Sequence, residues 1–128
     1  PISEIHPLNA QSPYAASKIA ADQLSMSFYK SFNTPITIIR PFNTFGPRQS
    51  LRAAIPTIIS QVLSNEKFIK LGNLHSKRDF TYVTDAVGAI VKASKSNING
   101  EIFNVGSGNS ISVNYIVKQL KGKKITPK

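Results

Sequence analysis

The chain has 128 residues, of which 41% are hydrophobic, and it carries a formal net charge of +10. That is chain enough for one small globular domain with a core. The absence of cysteine excludes disulfides and thiolate metal sites, and no apolar run is long enough to span a membrane.

Residues 1–11 read as loop. Ser12-Pro13 is a helix start, with serine as N-cap and proline at the first helical position. The helical pattern runs to about Phe32, with Ala16, Ala20, Leu24 and Phe28 recurring every four residues as one stripe. Asn33-Thr34-Pro35 ends it. The β-branched run Ile36-Thr37-Ile38-Ile39 predicts a strand buried on both faces. A loop follows over 40–52, then a helix over 53–64, a strand over 68–71 and an extended segment over 77–83. Residues 85–95 read as helix, 97–100 as a turn and 101–105 as a strand. Ser112 caps a last helix over 113–121, which Gly122 stops. There is no internal repeat. Strands alternating with helices predict an α/β fold with a parallel sheet.

Half of the excess charge is local. Lys118, Lys121, Lys123, Lys124 and Lys128 crowd the end of the chain with no acid among them. Such a run is a solvated helix end more readily than a nucleic-acid-binding face, so no nucleic-acid partner is expected. His6 and His75 stand alone in loops without paired ligands, so no metal site is expected. Val105-Gly106-Ser107-Gly108 mimics a dinucleotide fingerprint, but Ile111 occupies the third glycine position and no acid follows at the ribose-binding distance. It reads as a tight turn. Asp79 and Asp85 read as structural, Asp85 in the first turn of its helix.

Tyr14 and Lys18 lie four residues apart on a predicted helix and therefore share a face. A free tyrosine, with a pKa of about 10, is a poor base at neutral pH; a nearby cation favours the phenolate. Such a pair can take a hydroxyl proton while a hydride leaves the same carbon. The spacing alone reads more readily as a surface tyrosine beside a surface lysine.

The context of the pair is Ser12-Pro13-Tyr14-Ala15-Ala16-Ser17-Lys18, followed by a strand ending in Arg40-Pro41-Phe42-Asn43, then Gly46-Pro47-Arg48-Gln49 and Lys77-Arg78-Asp79-Phe80-Thr81-Tyr82-Val83-Thr84-Asp85. In these four ordered segments the chain resembles the extended short-chain dehydrogenase/reductase superfamily, the NAD-dependent nucleotide-sugar epimerases and dehydratases. The resemblance implies the C-terminal part of a Rossmann-like parallel sheet with part of a small substrate-binding lobe. Residues 1–128 would form the C-terminal part of one domain, with the glycine-rich cofactor loop and the Ser/Thr of the catalytic triad upstream.

By the same resemblance Tyr14 is the base, and Lys18 holds the nicotinamide ribose of NAD and tunes the tyrosine. Pro41 and Phe42 touch the cofactor. Asn43, Arg48 and Arg78 meet the nucleotide-diphosphate sugar, the arginines through a guanidinium fork suited to phosphate oxygens. Ile55 and Pro56 open the helix lining the nucleotide-base pocket. The segment from Phe42 to Ser50 running into Ile55-Pro56-Thr57-Ile58-Ile59 looks most like 4,6-dehydratases of the legionaminic-acid type. The reaction implied is oxidation of the sugar C4 hydroxyl followed by loss of water. A 4-epimerase or uronate decarboxylase would share every motif, and a non-catalytic NAD-binding family member is the reading of another class. A cytoplasmic homodimer at full length, without membrane contact, completes the expectation.

Overall fold

The computed structural model describes residues 2–64, 67–119 and 124–127. In chain order the elements are α1 (Pro13–Phe32), β1 (Ile38–Pro41), β2 (Asn43–Phe45), α2 (Ala54–Leu63), β3 (Phe68–Leu71), β4 (Lys77–Tyr82), α3 (Val83–Ser94), β5 (Ile102–Val105), β6 (Ser110–Ser112), α4 (Val113–Gln119) and β7 (Lys124–Pro127). The fold is α/β, as the alternating pattern predicts. It divides into two compact units: Pro1–Pro41 with Thr84–Val105, and Phe42–Val83 with Gly106–Lys128.

The first unit is built on α1 and the parallel pair β1–β5, with Ile38 opposite Ile102 and Pro41 opposite Val105. Helix α1 begins where its capping residues dictate. Ser12 is extended, its hydroxyl accepts the Ala15 N–H at 3.1 Å, and Pro13 follows in the first turn, where no amide proton is needed. It ends at Asn33, which is left-handed at φ 53° and donates its N–H to the Tyr29 carbonyl. No residue of α1 is buried, and Leu24, Phe28 and Phe32 of its apolar side are exposed. One ion pair joins helix to strand: Arg40 Nε of β1 donates to Asp22 of α1 at 2.7 Å. Arg40 also donates to the Glu4 carbonyl at 3.4 Å, and the Glu4 carboxylate accepts the Asn104 N–H at 2.8 Å. That backbone hydrogen bond holds the Glu4 carboxyl below its ordinary range.

The second unit holds the core. Ile58 of α2, Ile69 and Leu71 of β3, and Val113 and Val117 of α4 pack together, with Val62, Leu74 and Ile116 against them. Pro56 sits in the first turn of α2, where a missing N–H costs nothing. The Thr57 hydroxyl lies within hydrogen-bond distance of the Leu51 and Ala53 carbonyls and closes that end. The Gln61 side-chain amide pairs with the backbone of Lys70, accepting its N–H at 2.7 Å and donating to its carbonyl at 3.0 Å. It thereby ties α2 to β3.

Three expectations change. The strand expected at 36–39 is shifted to Ile38–Pro41, because its partner β5 begins opposite Ile38; Ile36 and Thr37 instead bond the turn, through the Ile36 carbonyl to Gly100 N–H and the Thr37 hydroxyl to the Ile98 carbonyl. The 40–52 loop contains β2, and the stretch before α4 contains β6. The sheets are accordingly not all parallel: β2 and β7 pair parallel with β4 and β3, whereas β6 pairs antiparallel with β4. The lysine-rich end is not a helix end throughout, since Lys124–Pro127 is a strand. Ser112 does cap α4, accepting the Tyr115 N–H at 3.1 Å; the expected stop at Gly122 lies outside the described residues. Among the described residues no helix is long and apolar enough to cross a membrane.

Adjacent isoleucines on α2 offer a test of this core. Ile58 is fully buried and Ile59 is 45% exposed. Ile58→Ala should cost about 2–5 kcal/mol in urea denaturation, and Ile59→Ala under about 1 kcal/mol.

Candidate functional site

The residues singled out in the sequence fall in both units. Tyr14, Lys18 and Pro41 belong to the first; Phe42, Asn43, Arg48, Ile55, Pro56 and Arg78 belong to the second. In the first unit Tyr14 occupies the opening turn of α1 and Lys18 the next. The Lys18 ammonium lies 5.8 Å from the centre of the Tyr14 ring, within cation–π range. Tyr14 is 72% exposed, so the phenol is presented outward rather than spent on packing. Ser17 turns back to the Tyr14 carbonyl at 2.8 Å and does not compete for the phenol oxygen. Pro41 ends β1 opposite Val105.

In the second unit, strands β2 and β4 run parallel with Asn43 opposite Phe80 and Phe45 opposite Tyr82. This pairing brings together Asn43 and Arg78, which are distant in sequence, in the wall of one cavity of about 300 Å³ that Ile55, Phe45 and Gln49 also line. A second, mostly apolar cavity of about 480 Å³ is lined by Arg48, Pro56, Ile59, Leu63 and Tyr82. Phe45, Gln49 and Ile55 form walls of both. These volumes lie in the range of small-molecule sites. A cationic and amide side at Arg78 and Asn43 suits an anion, and an aromatic and aliphatic side suits a flat ring. The Arg78 guanidinium donates to the Lys77 carbonyl at 2.8 Å and is otherwise exposed.

Arg48 stands at the third position of a turn closed by the Gln49 N–H to the Gly46 carbonyl at 3.3 Å. Its φ is +67°, left-handed for a residue with a full side chain. Pro47 before it, with a left-handed residue after, is the signature of a type II turn, a place that favours glycine. A long cationic side chain is thus held where backbone energy disfavours it, a pattern that concentrates at ligand-binding positions.

Gln49 has no role read from the sequence, and Asp79 is expected there only as structural. Gln49 separates the two cavities, and its amide donates to the Thr44 carbonyl at 2.8 Å, while its oxygen is buried without a partner among the described residues. Asp79 takes three hydrogen bonds from the 106–109 turn: Ser107 N–H at 2.9 Å, the Ser107 hydroxyl at 2.7 Å and Gly108 N–H at 2.9 Å. The turn reading of Gly106-Ser107-Gly108 holds, with Gly108 at φ +80°. Its partners Ser107 and Gly108 lie 28 and 29 positions away, beyond the reach of any local signal. Burial pushes the Asp79 carboxyl up, but the Ser107 and Gly108 donors together outweigh it and hold it below the ordinary carboxylate range.

Two outcomes follow from this geometry. Arg48→Gly should be more stable than Arg48→Ala by about 1 kcal/mol, since only the former relieves the left-handed backbone; paired denaturant titrations measure the difference. The depressed Asp79 carboxyl contributes stability that is complete above its unfolded value of about 4 and is lost as pH falls through the lower folded value. Hydrogen-exchange protection of the Ser107 and Gly108 amides should therefore persist at pH 5 and weaken below about pH 4.

Comparison with known proteins places this arrangement among relatives. Residues 1–106 match the model of a family described as NAD dependent epimerase/dehydratase. The chain is 35% identical over 117 residues to the dTDP-D-glucose 4,6-dehydratase of Homo sapiens, covering 91% of this chain and 33% of that protein. It is 33% identical over 129 aligned residues to the uncharacterized UDP-glucose epimerase YtcB of Bacillus subtilis, covering 98% of this chain and 41% of that one. The crystal structure of dTDP-glucose 4,6-dehydratase from Bacillus anthracis in complex with NAD superposes with a TM-score of 0.92 at 30% identity, covering 99% of this chain and 43% of that one. The chain thus spans between a third and under a half of the length of these relatives.

Proposed function

This chain belongs to the NAD dependent epimerase/dehydratase family, and we propose that it supplies the tyrosine–lysine pair and the nucleotide-sugar lobe of an NAD-dependent nucleotide-sugar 4,6-dehydratase. The observation that carries the reading is the exposed Tyr14 phenol with the Lys18 ammonium 5.8 Å from its ring, on the capped first turns of a helix within the family match. On this reading residues 1–128 are the C-terminal part of a larger domain, in keeping with the fraction of the relatives that they cover.

An outward-facing ammonium and phenol one helical turn apart suit the hydroxyls of a nicotinamide ribose, which makes NAD the cofactor of this reading. Bound NAD would accept a hydride from the sugar C4 and later return it. Tyr14 takes the proton of the C4 hydroxyl as that carbon is oxidised to a ketone. Lys18 holds the ribose and, as a neighbouring cation, favours the phenolate form of the tyrosine. Pro41 and Phe42 line the nicotinamide side. Arg78 and Arg48 receive the diphosphate, Asn43 hydrogen-bonds the same group, and Ile55 and Pro56 pack the nucleotide base. The 4-ketone acidifies the C5 proton, so water can leave across C5 and C6; return of the hydride to C6 would be matched by return of a proton to C5, so that the net change is the loss of one water.

The segment from Phe42 to Ile59 supports a substrate of nucleotide-linked N-acetylglucosamine type, as in legionaminic-acid dehydratases. A cytoplasmic enzyme, a homodimer at full length, belongs to the same proposal. The similarity to YtcB, over 98% of the chain, favours a second reading, a 4-epimerase in which the hydride returns to the other face of C4. Mass spectrometry separates the two: loss of one water marks the dehydratase, an unchanged mass the epimerase. In the complete protein, Tyr14→Phe should lower kcat by about 10²–10⁴-fold with nucleotide-sugar affinity preserved. Turnover close to that of the unmodified enzyme would remove the assignment of Tyr14.

A further inference from the structure

Asp79 joins β4 both to Asn43 of β2 and to the 106–109 turn. Its carboxylate binds the 106–109 turn through three donors, from Ser107 N–H, the Ser107 hydroxyl and Gly108 N–H. Its main-chain carbonyl accepts the Asn43 side-chain amide at 3.3 Å. The turn is shaped to come this close. A Cβ on Gly106 would fall 2.3 Å from Phe42 Cδ2 and 2.8 Å from Asp79 Oδ2, and Gly108 requires a positive φ. From the turn the chain enters β6 directly, and β6 pairs with β4 so that Asp79 stands opposite Ser110 and Arg78 opposite Ile111. Neighbouring residues on a strand face opposite ways. Asp79 therefore grips the turn from one side of β4 while Arg78 lines the 300 Å³ cavity on the other, with Asn43 in the same wall.

We infer that Asp79 is a positioning residue for nucleotide-sugar binding: clamped by Ser107 and Gly108, it fixes the register of β4 against β6 and holds Asn43 by its carbonyl, so that Arg78 and Asn43 meet the diphosphate together. This rests on the reading of that cavity as the diphosphate site. It also gives the Gly-Ser-Gly turn a role that is not cofactor binding. The glycines admit the close approach and Ser107 supplies two of the three donors.

The test uses the complete enzyme, with UDP and dTDP as binding probes and the nucleotide sugar as substrate. Asp79→Asn keeps the size of the side chain but replaces one acceptor oxygen by a donor and removes the charge. It should raise Kd for the diphosphate probe and KM about tenfold, with kcat and NAD affinity within about twofold. Ser107→Ala, which removes one donor and keeps the turn, should raise them about threefold and carries the test should Asp79→Asn not fold. In an Arg78→Ala background, Asp79→Asn should add less than about twofold, because its effect runs through Arg78; a residue that merely stabilised the fold would act independently there. Exchange of the Ser107 and Gly108 amides should quicken in Asp79→Asn. Unchanged KM in both single variants, or effects of Asp79→Asn and Arg78→Ala that multiply, would overturn the inference and leave the dehydratase reading standing. An unmodified enzyme that binds neither UDP nor dTDP and turns over no nucleotide sugar would overturn both.

Discussion

The second unit is organised around the two-sided pairing of β4. One end of the strand is bound antiparallel to β6 and the other parallel to β2, and nearly every polar residue of interest there hangs on that frame. Parallel pairing with β2 sets Asn43 beside Phe80, and antiparallel pairing with β6 sets Arg78 beside Ile111. Because side-chain direction alternates along a strand, a slip of one residue would turn Arg78 away from the cavity and bring Asp79 into it. Register therefore decides which side chains line the cavity, and the hydrogen bonds of Asp79 to the 106–109 turn are one place where it is held.

Core and cavities adjoin within this unit, and Val113 belongs both to the core cluster and to the wall of the 300 Å³ cavity. The fully buried side chains, Ile58 and Ile69, belong to the cluster of α2, β3 and α4. The cavity residues stand on β2, β4, the loop between β2 and α2, and α2 itself. Helix α2 serves both, with Ile58 facing the core while Ile55, Pro56 and Ile59 face the cavities. Burial of the one face anchors the helix, which frees the other to present apolar surface where a ring could lie. Arg48 adds the opposite kind of feature, a backbone conformation retained in spite of its energy.

The first unit relies on different forces. Helix α1 buries none of its residues, so local terms define it: a serine cap, a proline in the first turn and a left-handed asparagine at the end. The Arg40–Asp22 ion pair links it to β1. Both partners are partly shielded from solvent, which lessens the screening that makes surface pairs weak. This leaves the Tyr14–Lys18 face presented by a helix whose start is set within a few residues of the pair.

What the sequence determined by itself is local. Ser12-Pro13 placed the start of α1, and four-residue spacing put Tyr14 and Lys18 on one face. Ser112 capped α4, and the glycines of 106–108 marked a turn. Each depends on groups within about four residues of one another, so the relevant hydrogen bonds and steric limits are readable in order. Tertiary structure alone decided the rest. Strands β2, β6 and β7 mix polar residues into three or four positions, so no apolar run marks them as it marks β3 and β5, and they exist as strands only because a partner elsewhere in the chain supplies their hydrogen bonds. The lysine-rich end looked like a solvated helix terminus for the same reason: its charge is visible in the sequence, but its pairing with Phe68–Leu71 is not. The grip of Asp79 on Ser107, the Arg40–Asp22 pair and the shared wall of Asn43 and Arg78 all join residues 18 or more positions apart. Backbone pairing brings such residues together, and no local propensity encodes it.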